Sequence, residues 1–210
     1  MNILDSLKWR YATKKFDTSK KLTQNQLQLL KEAFNLTATS YGLQALNLVV
    51  VSNAEIREQL LAYSFRQKQV VEASHLLVIC HPTHFDGKDV QTYFNLVQEI
   101  RNTPTEVLKP FRDFLINEFD TKSDEEKHLS FSKQAYIALG NLLTVCALEK
   151  IDACPMEGFI PAKYDEILGL SEKGLTSVLA LPVGFRAEDD FMAKEKKVRK
   201  PLDQTIIEIQ

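Results

Sequence analysis

A long apolar stretch in the second half of the chain constrains the fold more than any other feature of the sequence. Ser123 and Glu126 have the spacing of a helix capping box, and apolar residues then cover a wide arc of the predicted helix from Ala135 to Ala147. A helix that is apolar on so wide an arc has to be surrounded by other elements, so we expect it to be central and buried. A chain of 210 residues without a linker or repeat can supply that surrounding as one domain, residues 1–210.

The remaining patterns predict an α+β fold. Short apolar runs with high strand propensity predict strands at Leu46–Val51, His75–Cys80 and Ser177–Val183. Helical spacing predicts shorter helices near residues 3–7, 23–34, 56–61, 90–100, 107–115 and 164–168. Few strands and many helices, without regular alternation, favour α+β over a doubly wound sheet, and the surplus of amphipathic helices indicates a dimer interface. A last apolar run, Thr205–Gln210, predicts a strand that needs a sheet edge, which a second subunit can supply.

Composition and missing motifs exclude several classes of function. The net charge of -2 provides no electrostatic basis for binding nucleic acid or an anionic membrane surface, and no apolar run is long enough for a membrane helix. Three cysteines in apolar stretches, without a CxxC pair, favour buried thiols in a reducing cytoplasm. His75, His81 and His84 lack the spacing and the acidic partner of a metal site, so we predict no metal. Without a Rossmann fingerprint or P-loop, a nucleotide would be held by side-chain cations and scattered backbone amides.

Four local segments each allow a structural and a functional interpretation. Cations in residues 10–14 follow the first helix, where they either oppose the helix dipole or bind a phosphate. Residues 39–44 form either an ordinary turn or a set of hydrogen-bonding groups for a ring ligand. Cys154 has no neighbouring base, which favours a small buried residue over a nucleophile. The basic residues 194–200 are by themselves typical of a solvated surface.

Taken together and in order, six segments resemble the nitroreductase family of FMN-dependent NAD(P)H oxidoreductases over essentially the whole chain. The segments are Arg10–Phe16, Ala38–Gln44, Glu72–His75, Gly140–Leu143, Asp152–Phe159 and Lys197–Pro201. The first is similar to the family pattern Arg-x-Ser-x-Arg/Lys-x-Phe, and Asp152–Phe159 is close to the oxygen-insensitive bacterial members. The resemblance implies a central, mainly antiparallel sheet flanked by helices. It also implies a domain-swapped homodimer whose C-terminal strand joins the partner sheet, with FMN in each of two interface clefts.

The resemblance also implies roles for single residues, carried over by matched position. Arg10, Lys197 and Arg199 would bind the FMN phosphate, a dianion that suits a cluster of cations. Lys14 would lie at the N1–C2=O edge of the flavin and stabilise its reduced, anionic form, with Gln69 on the same edge. The partner subunit would contribute a further set of contacts: Thr39, Ser40, Gly42 and Gln44.

The resemblance further implies that a turn after the predicted central helix lines one side of the flavin ring. Its residues are Pro155, Met156, Glu157 and Gly158, and a backbone amide near Glu157 would donate to flavin N5. Lys14 and Glu157 are therefore the predicted catalytic residues.

The sequence departs from the family pattern at several positions near the predicted flavin site. Tyr11 and Ala12 replace a small polar pair, so one hydroxyl contact of this cofactor-binding segment is lost. Gly42 stands where asparagine is common, and Ala45-Leu46 replaces Pro-Trp. Tyr41, Tyr93 and Phe119 are candidate aromatic walls for a planar substrate.

The implied activity is ping-pong hydride transfer. NAD(P)H would visit as a transient co-substrate and give hydride to flavin N5, and a nitroaromatic, quinone or other flat acceptor would then take the same place. Two alternatives stay open. The same flavin site can serve pteridine, enone or free-flavin reduction or a dehydrogenase reaction, or the chain can be a non-catalytic FMN-binding protein.

Overall fold

A four-stranded antiparallel sheet forms the centre of the fold in the computed structural model, which describes residues 2–210. The strands are β1 (Asn47–Val51), β2 (His75–Pro82), β3 (Asp152–Ala153) and β4 (Leu175–Gly184), in the order β1-β2-β4-β3. The three predicted strands are confirmed as β1, β2 and β4, and the α+β class is confirmed with them. The two-residue β3 was not predicted, because so short a strand has no periodicity of its own.

Eight α-helices accompany the sheet within residues 2–210. They are α1 (Ile3–Trp9), α2 (Gln24–Asn35), α3 (Ala54–Leu61), α4 (Gln69–Glu72), α5 (Gly87–Arg101), α6 (Thr105–Thr121), α7 (Asp124–Leu148) and α8 (Pro161–Ile167). The predicted capping boxes of α2 and α7 are both formed. Helix α8 begins earlier than its apolar residues suggested, because Pro161 occupies the first helical turn, where proline costs no hydrogen bond.

Helix α7 is the central buried helix that the sequence predicted. Its 25 residues run across one face of the sheet, where Leu142 is fully buried against the alternate side chains of β2 and β4. Helix α2 packs on the same face. The opposite face of the sheet is covered by α3, α4 and α8. Because both faces are buried, the longer strands have nearly continuous apolar sequences.

The two edges of the sheet differ. Ala12 pairs with Ala153 in a parallel bridge, so a segment after α1 covers the outer edge of β3. No residue between 2 and 210 pairs with the outer edge of β1. The predicted strand Thr205–Gln210 forms no strand within this chain, and Ile207 and Ile209 are 88% and 94% exposed. The segment therefore lies unpaired in this chain, although the outer edge of β1 is open.

None of the helices in residues 2–210 combines the length and apolar character needed to cross a bilayer.

Candidate functional site

A cluster of cations lies where the C-terminal segment passes the end of α1. Arg10 is the C-cap of α1, with the extended backbone that ends the helix. The Lys197 ammonium donates to the Leu7 carbonyl at 3.0 Å and also to the Arg10 carbonyl, so it occupies the free carbonyls at the helix end. Arg10, Lys197 and Arg199 together line a cavity of about 480 Å³. The structure thus brings together the three residues that were predicted to bind phosphate.

The electrostatics of this cavity favour an anion. Burial and then the charge of Arg199 lower the pKa of Arg10, and burial followed by Arg10 and Arg199 lowers the pKa of Lys197. The described residues that line the cavity include five cations and one carboxylate, that of Glu195. Cations held this close repel one another, so a bound anion would stabilise all of them.

The Arg10-to-Lys14 segment connects this cavity to the middle of the sheet. Thr13 donates its N–H to the Ala153 carbonyl at 3.3 Å, next to the Ala12–Ala153 bridge, so the segment runs along β3. Burial raises the pKa of the Cys154 thiol, and the nearby charges of Lys14 and Arg10 oppose that rise. Both cations therefore lie close to Cys154, which is buried and unsuited to act as a nucleophile.

The Pro155–Gly158 turn follows directly from this strand. Met156 is buried and exchanges both main-chain hydrogen bonds with Ala180, at 2.8 and 3.0 Å. Gly158 accepts a hydrogen bond from the Gln67 side chain at 2.9 Å. Glu157 is exposed, and its carboxylate bonds to the Tyr136 hydroxyl and raises the pKa of Tyr136. The turn is therefore held on both sides, and the main-chain N–H of Glu157 donates to no oxygen in residues 2–210.

Gln69 is the first residue of α4 and is buried. Two neighbours fix its helix beside the segments already described. Gln67 bonds to Gly158, as above, and the Glu72 carboxylate accepts the Phe16 N–H at 3.4 Å. Gln69 therefore lies on a helix that is held next to both the Pro155–Gly158 turn and the end of the Arg10–Phe16 segment.

Sequence reasoning missed Asp190. Its carboxylate is only 2% exposed and accepts hydrogen bonds from the Tyr11 hydroxyl (2.9 Å), Lys14 N–H (2.9 Å), Lys15 N–H (3.3 Å) and Met192 N–H (3.1 Å). Burial alone would raise the pKa of Asp190, but these hydrogen bonds outweigh it and lower the pKa. The Tyr11 hydroxyl is thus directed at Asp190, while its ring lines the cation cavity. An acidic pair in a loop gives no sequence signal of this role.

A second buried carboxylate, Asp152, fixes the start of β3. It accepts the Arg186 N–H and Nε–H, each at 2.8 Å. The Arg186 guanidinium then lies 4.3 Å from the centre of the Trp9 ring and 4.5 Å from that of Tyr11. These contacts hold the end of α1 against the strand that carries the predicted ring-binding turn.

Residues 39–44 do not join the cation cluster of their own chain. The Ser40 N–H donates to Gln134 in the middle of α7, whereas Arg10 lies near Cys146 toward the end of that helix. Twelve helical residues separate these two points, which is about 18 Å along the axis. Within one chain, Ser40 therefore lies far from the cation cluster around Arg10. Gln44 is turned toward its own chain, with its amide donating to the Asn35 carbonyl at 2.8 Å.

Gly42 is required by the local backbone and by its neighbour. Its φ is +74°, and an added Cβ would lie 2.6 Å from the Tyr93 hydroxyl oxygen. We expect Gly42→Ala to lower the free energy of unfolding by about 1–3 kcal/mol, since it adds backbone strain and a clash. Chemical denaturation would measure the change. In a Tyr93→Phe background the clash with the hydroxyl is gone, so the loss should be smaller. An equal loss in both backgrounds would rule out the Tyr93 contact as a cause.

The three candidate aromatic walls are divided between two places. Tyr41 and Phe119 line a cavity of about 330 Å³ together with Ser40, Lys122 and Gln134. Tyr93, which lies next to Gly42, lines a separate groove. No group of three or more His, Cys, Asp or Glu side chains in residues 2–210 has the arrangement of a metal site.

Comparison with known proteins identifies the family. The model of the Nitroreductase family matches residues 7–185. A Staphylococcus epidermidis protein that carries the name NAD(P)H nitroreductase is 37% identical, over 97% of this chain and 95% of that protein. The oxygen-insensitive NAD(P)H nitroreductase of Salmonella typhimurium is 30% identical over 100% of both chains. A solved nitroreductase from Exiguobacterium sibiricum, in complex with FMN, shares the fold at a TM-score of 0.85 and 17% identity, covering 100% of this chain and 98% of that one. The chain belongs to the nitroreductase family.

Proposed function

We propose that this protein is an FMN-dependent oxidoreductase that transfers hydride from NAD(P)H to a flat acceptor such as a nitroaromatic or a quinone. One observation carries the proposal. The segment 10–14 begins in the cation cavity at Arg10 and runs to Lys14 along β3, the strand that leads into the Pro155–Gly158 turn. The names of two relatives support the same activity, and the Exiguobacterium neighbour binds FMN.

The cation cavity fits the phosphate of FMN. Arg10 and Arg199 can present planar donors to phosphate oxygens, and Lys197 adds a third charge. The repulsion that contributes to the lowered pKa of Arg10 and Lys197 is the kind that a phosphate dianion relieves.

Lys14 and the Glu157 main chain fit the ring end of the cofactor. Bound FMN supplies a carrier that takes up hydride from a nicotinamide and delivers it to an acceptor. Lys14 would hold a fixed cation at the edge where negative charge develops, with Gln69 beside it. The Glu157 N–H offers a donor without a protein acceptor, and Pro155 and Met156 would hold that donor in place.

We further propose a homodimer, in which residues 205–210 pair with the open edge of the partner's β1. The exposed isoleucines of this segment and the open β1 edge support that arrangement. It would also bring Thr39, Ser40, Gly42 and Gln44 of one chain toward the flavin of the other.

Adding charge to the terminal segment should weaken the dimer. We expect the double substitution Ile207→Glu/Ile209→Glu to raise the dimer dissociation constant about 100-fold, because strand pairing would bury the new carboxylates. Light scattering across a concentration series would measure this. The matched control, Gln24→Glu/Gln204→Glu, adds the same charge at exposed polar positions outside residues 205–210 and should remain dimeric. If all three proteins show the same mass, the segment is not an interface.

The proposed activity is tested by an absorbance spectrum before and after anaerobic addition of NADH or NADPH. We expect a yellow protein whose visible flavin absorbance is bleached by the nicotinamide. A protein that takes up no FMN would refute the proposal. Flavin that binds but is not bleached would favour a non-catalytic FMN-binding protein. Acceptor assays after bleaching would separate nitroaromatics and quinones from pteridines, enones and free flavins.

A further inference from the structure

We propose that Asp190 is a positioning residue for the flavin site, which holds the Lys14 main chain and the segment carrying Lys197 and Arg199 in one fixed arrangement. The inference rests on the proposed function, because it assigns the two ends of the site to the phosphate and the ring of FMN.

The hydrogen bonds of Asp190 reach both halves of the site. Its Oδ2 atom accepts the N–H groups of Lys14 and Lys15 and the Tyr11 hydroxyl. Its Oδ1 atom accepts the Met192 N–H and so caps the short helix Phe191–Lys194, which leads into Lys197 and Arg199. One carboxylate therefore connects the segment before the ring edge with the segment that completes the phosphate cavity.

The chemistry of this position requires a carboxylate. Four donors converge on two oxygens of a side chain that is 2% exposed, so water cannot replace a lost acceptor. An asparagine has one oxygen, and its NH₂ group would face donors on one side. Whichever way the amide turns, either the Lys14 side or the Met192 side loses its acceptor.

The rest of the local structure does not depend on Asp190. The Ala187 N–H donates to the Lys15 carbonyl at 3.0 Å, and the Asp17 N–H donates to the Phe185 carbonyl at 2.8 Å. These bonds keep the two segments adjacent in an Asp190→Asn variant, so we expect that variant to fold with a loosened site.

The test compares FMN with riboflavin, which lacks the phosphate, by fluorescence titration of the apoprotein. For Asp190→Asn we expect both dissociation constants to rise about tenfold or more, because both halves of the site lose their anchor. Tyr11→Phe removes one of the four donors and should raise both constants less. The control Asp189→Asn removes the neighbouring carboxylate, whose side chain is 69% exposed and pairs with Lys15, and should leave both constants unchanged.

The flavin reduction potential provides a second, independent readout. Displacement of Lys14 would move its ammonium group away from the negative charge of the reduced flavin. The reduction potential of flavin bound to Asp190→Asn should therefore be lower than in the wild type. If Asp190 acted only through its own negative charge, its removal would raise the potential. A rise, or no change, would overturn the inference.

Other outcomes also separate the possibilities. Loss of FMN affinity with unchanged riboflavin affinity would mean that Asp190 orders only the phosphate segment, which overturns the inference. If Asp190→Asn does not fold, the test rests on Tyr11→Phe. Unchanged dissociation constants for FMN and riboflavin in that variant would overturn the inference. Wild-type apoprotein that binds neither flavin would instead refute the proposed function.

Trypsin cleavage of the flavin-free proteins after Lys194, Lys196 and Lys197 should be faster in Asp190→Asn than in Asp189→Asn, and equal rates would count against the inference.

Discussion

Arg10→Ala should raise the dissociation constant for FMN about 100-fold, equivalent to about 2.7 kcal/mol, while the constant for riboflavin stays close to that of wild type. Arg10 lies in a cavity with Lys197 and Arg199, where burial and mutual repulsion already lower its pKa. Charge-assisted hydrogen bonds from a half-buried guanidinium to a phosphate are among the stronger polar contacts, so their loss is large. Riboflavin makes no such contact.

Fluorescence titration of the apoprotein would measure both constants. Arg101→Ala is the matched control, because Arg101 also ends a helix, α5, but is exposed and lines none of the cavities described above. An equal loss of affinity for riboflavin and FMN would show that Arg10 does not contact the phosphate.

Lys14→Met should lower kcat/KM for NAD(P)H-driven reduction of an acceptor about 100-fold, because removing one fixed group from developing negative charge has effects of this order. The potential of the bound flavin should also fall, while affinity for oxidised FMN falls less than in Asp190→Asn, in which the Lys14 main chain also loses its anchor. The contact between the Lys14 N–H and Asp190 is made by the main chain, so it survives the substitution.

Steady-state kinetics and anaerobic redox titration would separate the two roles. Lys15→Met is the matched control, because the exposed Lys15 side chain is paired with Asp189. It should leave both the potential and kcat/KM near the wild-type values. If Arg10→Ala and Lys14→Met had the same effects, the division between a phosphate end and a ring end would be wrong.

Much of the fold could be predicted from local patterns. The capping boxes at Thr23 and Ser123 and the wide apolar arc of α7 predicted α2 and the central helix correctly. Strand β3 escaped prediction because its two residues are defined by pairing with β4, more than twenty residues further along the chain, and not by their own periodicity. Residues 205–210 have a strand-like pattern but pair with no strand of their own chain, because a local pattern does not supply a partner.

The candidate site was less accessible to local reasoning. Arg10 and Lys197 are 187 residues apart, and only the resemblance to a family connected them before their contact was seen. The interpretation of Tyr11 also changed. Its departure from the family pattern suggested a lost contact, whereas the structure shows that its hydroxyl bonds to Asp190.

The sequence by itself determined the capped starts of α2 and α7, the buried central helix, the three longer strands and the types of residue available to bind an anion. These features depend on residues within a few positions of one another or on a repeating pattern along one element. Only the tertiary structure decided that the Asp190 carboxylate accepts a hydrogen bond from the Lys14 N–H, although 176 residues separate the two. A buried carboxylate is stable only where enough donors converge on it, and that convergence is produced by the packing of segments that are distant in the chain.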